Sequence, residues 1–252
     1  MRPLPSKAAL LALQIFVGAG ARAQSTSGTD AGVFLLLPTG AQAVGMGQAV
    51  VAAEGGSESV WWNPAGLARQ SKRELAIHHS QTIAATGDVL AFVAPSKIRG
   101  TLALSVNILN PGEQQVTDDQ GQPVGVILPR DLVFAVTYAK SFGEHVNAGV
   151  TYKMIQFRVD CSGQCATVGT FVNSSHAADA GLQYKLGAAS PVTLGIAVRN
   201  VGGKVKSGSS GASDALPTRT DAGLLYHVAA LDKVLKDTKV NAAASVITTR
   251  GE

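Results

Sequence analysis

Between residues 101 and 198 the chain alternates apolar and polar side chains with a period of two. In 101–108, Leu102, Leu104, Val106 and Ile108 share one face, and Thr101, Ala103, Ser105 and Asn107 share the other. In 146–154, Val146, Ala148, Val150, Tyr152 and Met154 oppose Asn147, Gly149, Thr151 and Lys153. Segments 178–186 and 192–198 repeat the pattern, with Asp179, Gly181, Gln183 and Lys185, then Thr193, Gly195, Ala197 and Arg199, on the polar side. Period two is the signature of a β-strand and excludes an amphipathic helix. Nine antiparallel strands are expected, at 74–82, 87–94, 98–109, 131–140, 144–157, 176–187, 190–201, 217–228 and 238–249. In 144–157 the apolar set changes parity after Met154, when Ile155, Phe157 and Val159 take over. A bulge or the strand's exit from a membrane accounts for such a change.

Two architectures share this pattern. A soluble sandwich or barrel turns the apolar face inward, whereas a transmembrane barrel turns it outward to lipid. Three details favour the transmembrane barrel. The polar faces carry small or charged residues (Gly149, Gly181, Gly195, Gly223, Lys153, Lys185, Arg199), which suits a wet, crowded lumen. The strands approach the length needed to cross a bilayer at a tilt. Connections also alternate between long (109–130, 158–175, 201–217) and short (140–144, 187–190, 229–237), as in outer-membrane barrels. A closed barrel of this type needs an even number of strands. The ninth would run outward to Thr248-Thr249-Arg250-Gly251-Glu252, so the expectation is a chain truncated at its C-terminal side, with an incomplete barrel.

The start of the chain reads as a cleavable export signal over residues 1–23. Arg2 and Lys7 precede an apolar run, 8–20, and Ala21-Arg22-Ala23 fits the cleavage rule. The run is too short for a membrane anchor. Of 21 Lys and Arg against 17 Asp and Glu, the signal holds Arg2, Lys7 and Arg22 and no acid, which leaves 18 against 17 and a net charge of +1. Nucleic-acid binding thus has no electrostatic support. After the signal, residues 24–70 form an N-terminal segment and 71–252 the strands.

That segment is the most distinctive part of the sequence. Residues 40–53 are rich in Gly and Ala, with Gly40, Gly45 and Gly47 suited to close packing, and the stretch closes on Trp61-Trp62-Asn63-Pro64-Ala65-Gly66. Pro64 disfavours helix at Asn63, whose side chain can support a turn. The two tryptophans offer large apolar faces with one N–H each. An ordinary turn before a first strand is the plain alternative.

Phe34-Leu35-Leu36-Leu37, Gly40-Ala41-Gln42-Ala43-Val44-Gly45-Met46-Gly47-Gln48-Ala49 and Trp62-Asn63-Pro64-Ala65-Gly66-Leu67 together resemble the start of the PorV/PorQ family of outer-membrane proteins. Residues 178–182, 194–203 and 216–219 resemble later parts of that family. PorV/PorQ proteins are similar to the FadL/TodX class, β-barrels with an N-terminal plug carrying an Asn-Pro-Ala motif, which Asn63-Pro64-Ala65 matches. The resemblance implies a bacterial outer-membrane barrel with a plug at 24–70. It also implies a non-enzymatic role in type IX-like secretion or surface attachment, with outer-membrane lipid, secretion-system proteins and secreted cargo as partners. FadL-type channels imply a second reading, diffusion of hydrophobic small molecules, and an exported soluble β-barrel binding module is a third. The chain departs from the family in showing fewer strands, which puts an independently working pore in doubt.

Other motifs carry less. Gly45-Met46-Gly47 lacks the context of a dinucleotide fingerprint. His78 and His79 would point to opposite faces of a strand, and His145, His176 and His227 are scattered, so no metal site and no catalytic constellation is expected, nor any cofactor. Cys161 and Cys165, in a connection expected to be external, read as a local disulfide in an oxidising compartment, with metal binding as the alternative. The sequon at Asn173 is read as accidental.

Overall fold

The computed structural model describes residues 31–249, apart from 84, 166–169, 188–189, 208–211, 233–237 and 239. The expected signal, the first residues of the 24–70 segment and Arg250, Gly251 and Glu252 lie outside the described residues.

The period-two segments become one antiparallel sheet. Its strands are β1 (Glu74–Gln81), β2 (Thr86–Ser96), β3 (Gly100–Asn110), β4 (Gln114–Thr117), β5 (Pro123–Phe142), β6 (Val146–Gly163), β7 (Phe171–Lys185), β8 (Val192–Gly202), β11 (Arg219–His227) and β12 (Asn241–Thr249). β9 (Val205–Ser207) and β10 (Ala212–Asp214) form a separate two-stranded ribbon in the connection after β8. The order β1-β2-β3-β5-β6-β7-β8-β11-β12 is a meander of nine strands, with β4 added to the far end of β5. Each of the nine expected strands has its counterpart. Among the described residues no pairing joins β1 to β12, and no helix is long and apolar enough to cross a membrane.

One face of the sheet is covered by residues 31–72 and the other is open. The polar residues point to the covered face: Thr137, Lys153 and Asp179 are 0%, 2% and 2% exposed. Their large apolar neighbours point to the open face, with Val150 at 56% and Tyr152 at 53%. Water would penalise such an apolar surface, whereas hydrocarbon would not.

Two strands run well past the lengths expected for them. β5 and β6 pair without a break from Phe142↔Val146 to Gly125↔Gly163. Much of the 109–130 and 158–175 connections is therefore strand, not loop. Pro129 is accommodated because it falls in the gap, residues 128–130, where neither β3 nor β4 pairs with β5. The unbroken register also removes the bulge reading for the parity change after Met154. Ile155 and Phe157 lie on the covered face, as Thr151 and Lys153 do, and it is the apolar side chains that change sides. A bulge does occur elsewhere, in β8. Ala180 pairs with Val198 and Ala178 with Val201, so Asp179 faces two residues, Arg199 and Asn200, and Asn200 takes a left-handed φ of 58°.

Candidate functional site: the N-terminal segment against the sheet

Residues 31–72 contain only short helical pieces: Val33–Leu36, Ala41–Gly45, Ser59–Trp62 and Pro64–Arg69. They are held by the sheet more than by their own backbone. At the centre, Asn63 is extended (φ −152°, ψ 106°), and Pro64 follows at the first position of the next helical turn, where its missing N–H is not needed. The Asn63 Oδ1 accepts from the Ala65 N–H at 3.0 Å. Its Nδ2 donates to the Val51 carbonyl at 2.6 Å and faces the Leu182 and Ile196 carbonyls of β7 and β8 at 3.5 Å each. An aspartate would lack the donor that these carbonyls need.

The sheet makes room for this turn with glycine. Gly149 pairs with Gly181, and Gly195 with Gly223, so four neighbouring strands present glycine to the segment in two pairs, offset by two residues in the β7–β8 register. A Cβ at Gly149 would lie 2.5 Å from the Pro64 carbonyl carbon, and one at Gly223 would lie 2.9 Å from Val51 Cγ1. Cβ atoms at Gly181 and Gly195 would collide with Asn63 Oδ1 and with the Val51 carbonyl oxygen. Beside the row, Gln183 Nε2 donates to the carbonyls of Val51 and Ala53 at 3.2 and 2.7 Å. These glycines serve close approach of backbone rather than a wet lumen.

The glycines singled out in the segment itself divide. Gly66 packs tightly, since its Cβ would meet Ser59 Oγ at 2.6 Å. Gly40 (φ +93°) lies against Glu58, whose carboxylate accepts the N–H groups of Gln42 and Ala43 at 3.2 and 3.0 Å. Close packing is not what Gly45 and Gly47 provide, because a Cβ at either would find no atom within 4 Å. Gly47 instead supplies a left-handed turn, φ +58°.

Trp61 and Trp62 sit on one helical turn, both buried, against three cations of the sheet. Lys153 Nζ lies 5.5 Å from the Trp61 ring, and the guanidinium carbons of Arg199 and Arg219 lie 4.9 and 5.7 Å from the Trp62 ring. Arg199 also donates to the Trp61 carbonyl at 2.8 Å, and Trp62 Nε1 donates to the Thr39 carbonyl at 2.8 Å. Two carboxylates pair with the three cations. Asp179 pairs with Lys153 at 2.7 Å and accepts from the Asn200 N–H at 2.8 Å. Asp221 takes both Arg199 Nε and Arg219 Nε at 2.9 Å. Lys153 further donates to Asn200 Oδ1, and Arg219 to Gln48 Oε1. The β8 bulge is what turns Arg199 and Asn200 to the same side. Buried ions persist only when paired and hydrogen-bonded, and each of these five is.

Further contacts tie the segment to the sheet from the β5–β6 turn up to Phe157 of β6. At one level Phe34 meets Phe157 edge-on with centroids 5.8 Å apart. At the opposite end Arg69 donates to the Glu144 carbonyl at 2.6 Å. Between the segment and β1–β3 lies a cavity of about 710 Å³, lined by Phe34, Leu37, Val44, Ile77, Val89 and Leu109 among others.

The remaining singled-out residues lie elsewhere. Cys161 and Cys165 are joined in a disulfide at the far end of β6. Nearby, the hydrogen bond from Arg158 to Asp160 holds that carboxyl below its ordinary value. His78 faces Ser57 Oγ at 3.4 Å, while His79 pairs with Asp88 at 2.7 Å on the open face. His145 faces the Lys185 carbonyl at 3.2 Å, and His176 stacks on Tyr152 with a 2.6 Å contact. His227 contacts Asn241 and Asp232. The histidines are thus dispersed.

A family model described as Type IX secretion system protein PorV matches residues 20–248. No curated protein matches the sequence.

Proposed function

We propose, because this chain belongs to the PorV family of type IX secretion system proteins, that it is a non-enzymatic outer-membrane component of protein secretion. The open face of the sheet contacts lipid and residues 31–70 act as a plug. The observation that carries this reading is the inverted burial of the strands, with buried polar residues and exposed Leu, Val, Ile, Phe and Tyr on alternate positions. It argues against the soluble binding module. The parity change in β6 marks where the strand leaves the bilayer. Up to Met154 the apolar side chains face outward; beyond it they turn to Phe34 and its neighbours.

On this reading the short connections, such as 97–99 and 143–145, lie on the periplasmic side. The long extension of β4, β5 and β6, tied by the Cys161–Cys165 disulfide, is then external and placed to meet secretion partners or cargo. The test is affinity purification from gently solubilised outer membranes, with residues 114–127 and 160–165 of the extension each replaced by a short turn as comparison. Secretion proteins recovered with the intact chain and lost with the shortened one support the proposal. Recovery of the protein in the soluble periplasmic fraction, or with no secretion protein, overturns it.

The cavity beside β1–β3 favours a second reading, binding of a hydrophobic small molecule, because its lining is mainly apolar and it is large enough for one. Uptake of a hydrophobic solute into liposomes by the protein alone would support it, and equal uptake by empty liposomes would exclude it.

A further inference from the structure

The open face changes character at the end of the sheet that carries the short connections. Lys97, Ile98 and Arg99 form the turn between β2 and β3, and all three are exposed, Ile98 at 85%. Lys140 of β5 stands beside them, its Cβ 3.3 Å from where a Gly100 Cβ would be. It shares the open face with Tyr138 and Phe142, which alternate with the buried Ala139. Tyr138 fixes the corner by donating from its hydroxyl to the Arg99 carbonyl at 2.7 Å. No ion pair joins Lys97, Arg99 or Lys140 to a described carboxylate. Lys72 and Arg73, just before β1, extend the same basic rim. Immediately inward comes the apolar band, with Leu102 paired to Tyr138 and Leu104 to Val136.

We infer that this rim is a binding site for anionic phospholipid headgroups of the inner leaflet, an inference that rests on the membrane reading above. Three unpaired cations border an apolar surface through an aromatic girdle. Long basic side chains there can lay their stems on acyl chains and place their charges at phosphate level, and a tyrosine hydroxyl suits the same depth. An acidic protein would not need the exposed Ile98, Tyr138 and Phe142 between the charges. At the opposite end of the sheet Arg158 is held by Asp160 and Arg130 is its partner in the β5–β6 register, so that end provides the comparison.

The mature chain, purified in detergent, is incorporated into discs of equimolar phosphatidylglycerol and phosphatidylcholine. The lipid retained after mild re-extraction is then identified by mass spectrometry. Several-fold enrichment of phosphatidylglycerol is expected, abolished in the triple variant Lys97→Gln, Arg99→Gln, Lys140→Gln and kept in Arg130→Gln, Arg158→Gln. Inorganic phosphate at matched ionic strength should not displace the lipid, and displacement would mean a bare phosphate site and overturn the assignment. Enrichment that survives in the triple variant overturns it too. Insertion with equal retention of both lipids overturns the site while leaving the membrane reading intact. Failure to insert at all overturns both. Unchanged protease resistance of residues 31–70 in the triple variant shows that its fold is kept.

Discussion

The N-terminal segment meets the two halves of the sheet in different ways. Against β6, β7, β8 and β11 it is fitted backbone to backbone over the glycine row and clamped by Lys153, Arg199 and Arg219. Against β1, β2 and β3 it packs on Val93 and Ala103 but leaves a cavity of about 710 Å³ over part of the interface. The tight half uses ions and exact backbone fit, which tolerate little change. The loose half uses apolar contact and a few hydrogen bonds from Ser57 and Gln70 to Glu74 and His78 of β1, and the open space beside them tolerates more. Anchorage is therefore one-sided, and mutations in the two halves should differ in cost for the same change in volume.

The largest effect is expected at Asp221. It is the shared acceptor of Arg199 and Arg219, so Asp221→Asn leaves two buried guanidinium groups facing each other. Removing one partner of a buried pair costs about 3–5 kcal/mol. Urea unfolding in detergent micelles should show a loss of that order. Adding Arg219→Gln should restore part of it, because the second change removes one of the stranded charges. Simple additivity of the two losses would contradict the shared-acceptor geometry.

Next come the glycines. Gly149→Ala puts a methyl group against the Pro64 backbone, which has no rotamer with which to yield. Overpacking of this kind costs about 1–3 kcal/mol, and limited proteolysis should cleave residues 31–70 faster. Gly45→Ala is the matched control, since open space surrounds that position. Equal proteolysis of the two variants would remove the distinction between a fitted and a loose half.

Asn63→Ala should cost roughly 1–3 kcal/mol, because it leaves the buried Ala65 N–H without its acceptor and removes the shorter of the two bonds to the Val51 carbonyl, which keeps Gln183 Nε2. Asn63→Asp should be no milder, although it is isosteric and keeps the acceptor for Ala65, because it loses the donor and turns a buried carboxylate on the Val51, Leu182 and Ile196 carbonyls. Unfolding of the two variants side by side checks this, and full stability of the aspartate form would refute the donor role.

How much of this was legible in the sequence follows from how local each feature is. The nine strands were, because period two is set by neighbouring residues alone, and so was the importance of the 61–66 block, since Trp, Asn and Pro each constrain it chemically. The glycine row was visible only as separate polar-face glycines. That Gly149 meets Gly181 and Gly195 meets Gly223 depends on register between strands. The ion cluster was missed as a unit for a similar reason. Lys153, Asp179 and Arg199 could be placed on polar faces, but Asn200 reads as outward until the β8 bulge reverses it, and its one local signal is that asparagine accepts a left-handed φ. The extension of β5 and β6 was hidden by Pro123, Gly125 and Pro129, which mark a loop unless a partner strand leaves a gap for the proline.

The smallest effect on stability is expected in the loose half, and it is the most informative for function. Val44 is exposed at the cavity wall, so Val44→Phe adds volume where there is space for it. Its stability should change by no more than about 0.5 kcal/mol, as for a surface substitution away from special features. The added ring takes up part of the cavity, so a fluorescent fatty-acid probe that binds there should bind several-fold more weakly. The Gly149→Ala variant provides the converse, lower stability with the cavity lining unaltered. If the probe binds the wild type and Val44→Phe equally, the cavity is not its site, and the one-sided anchorage serves to position the segment rather than to leave room for a ligand.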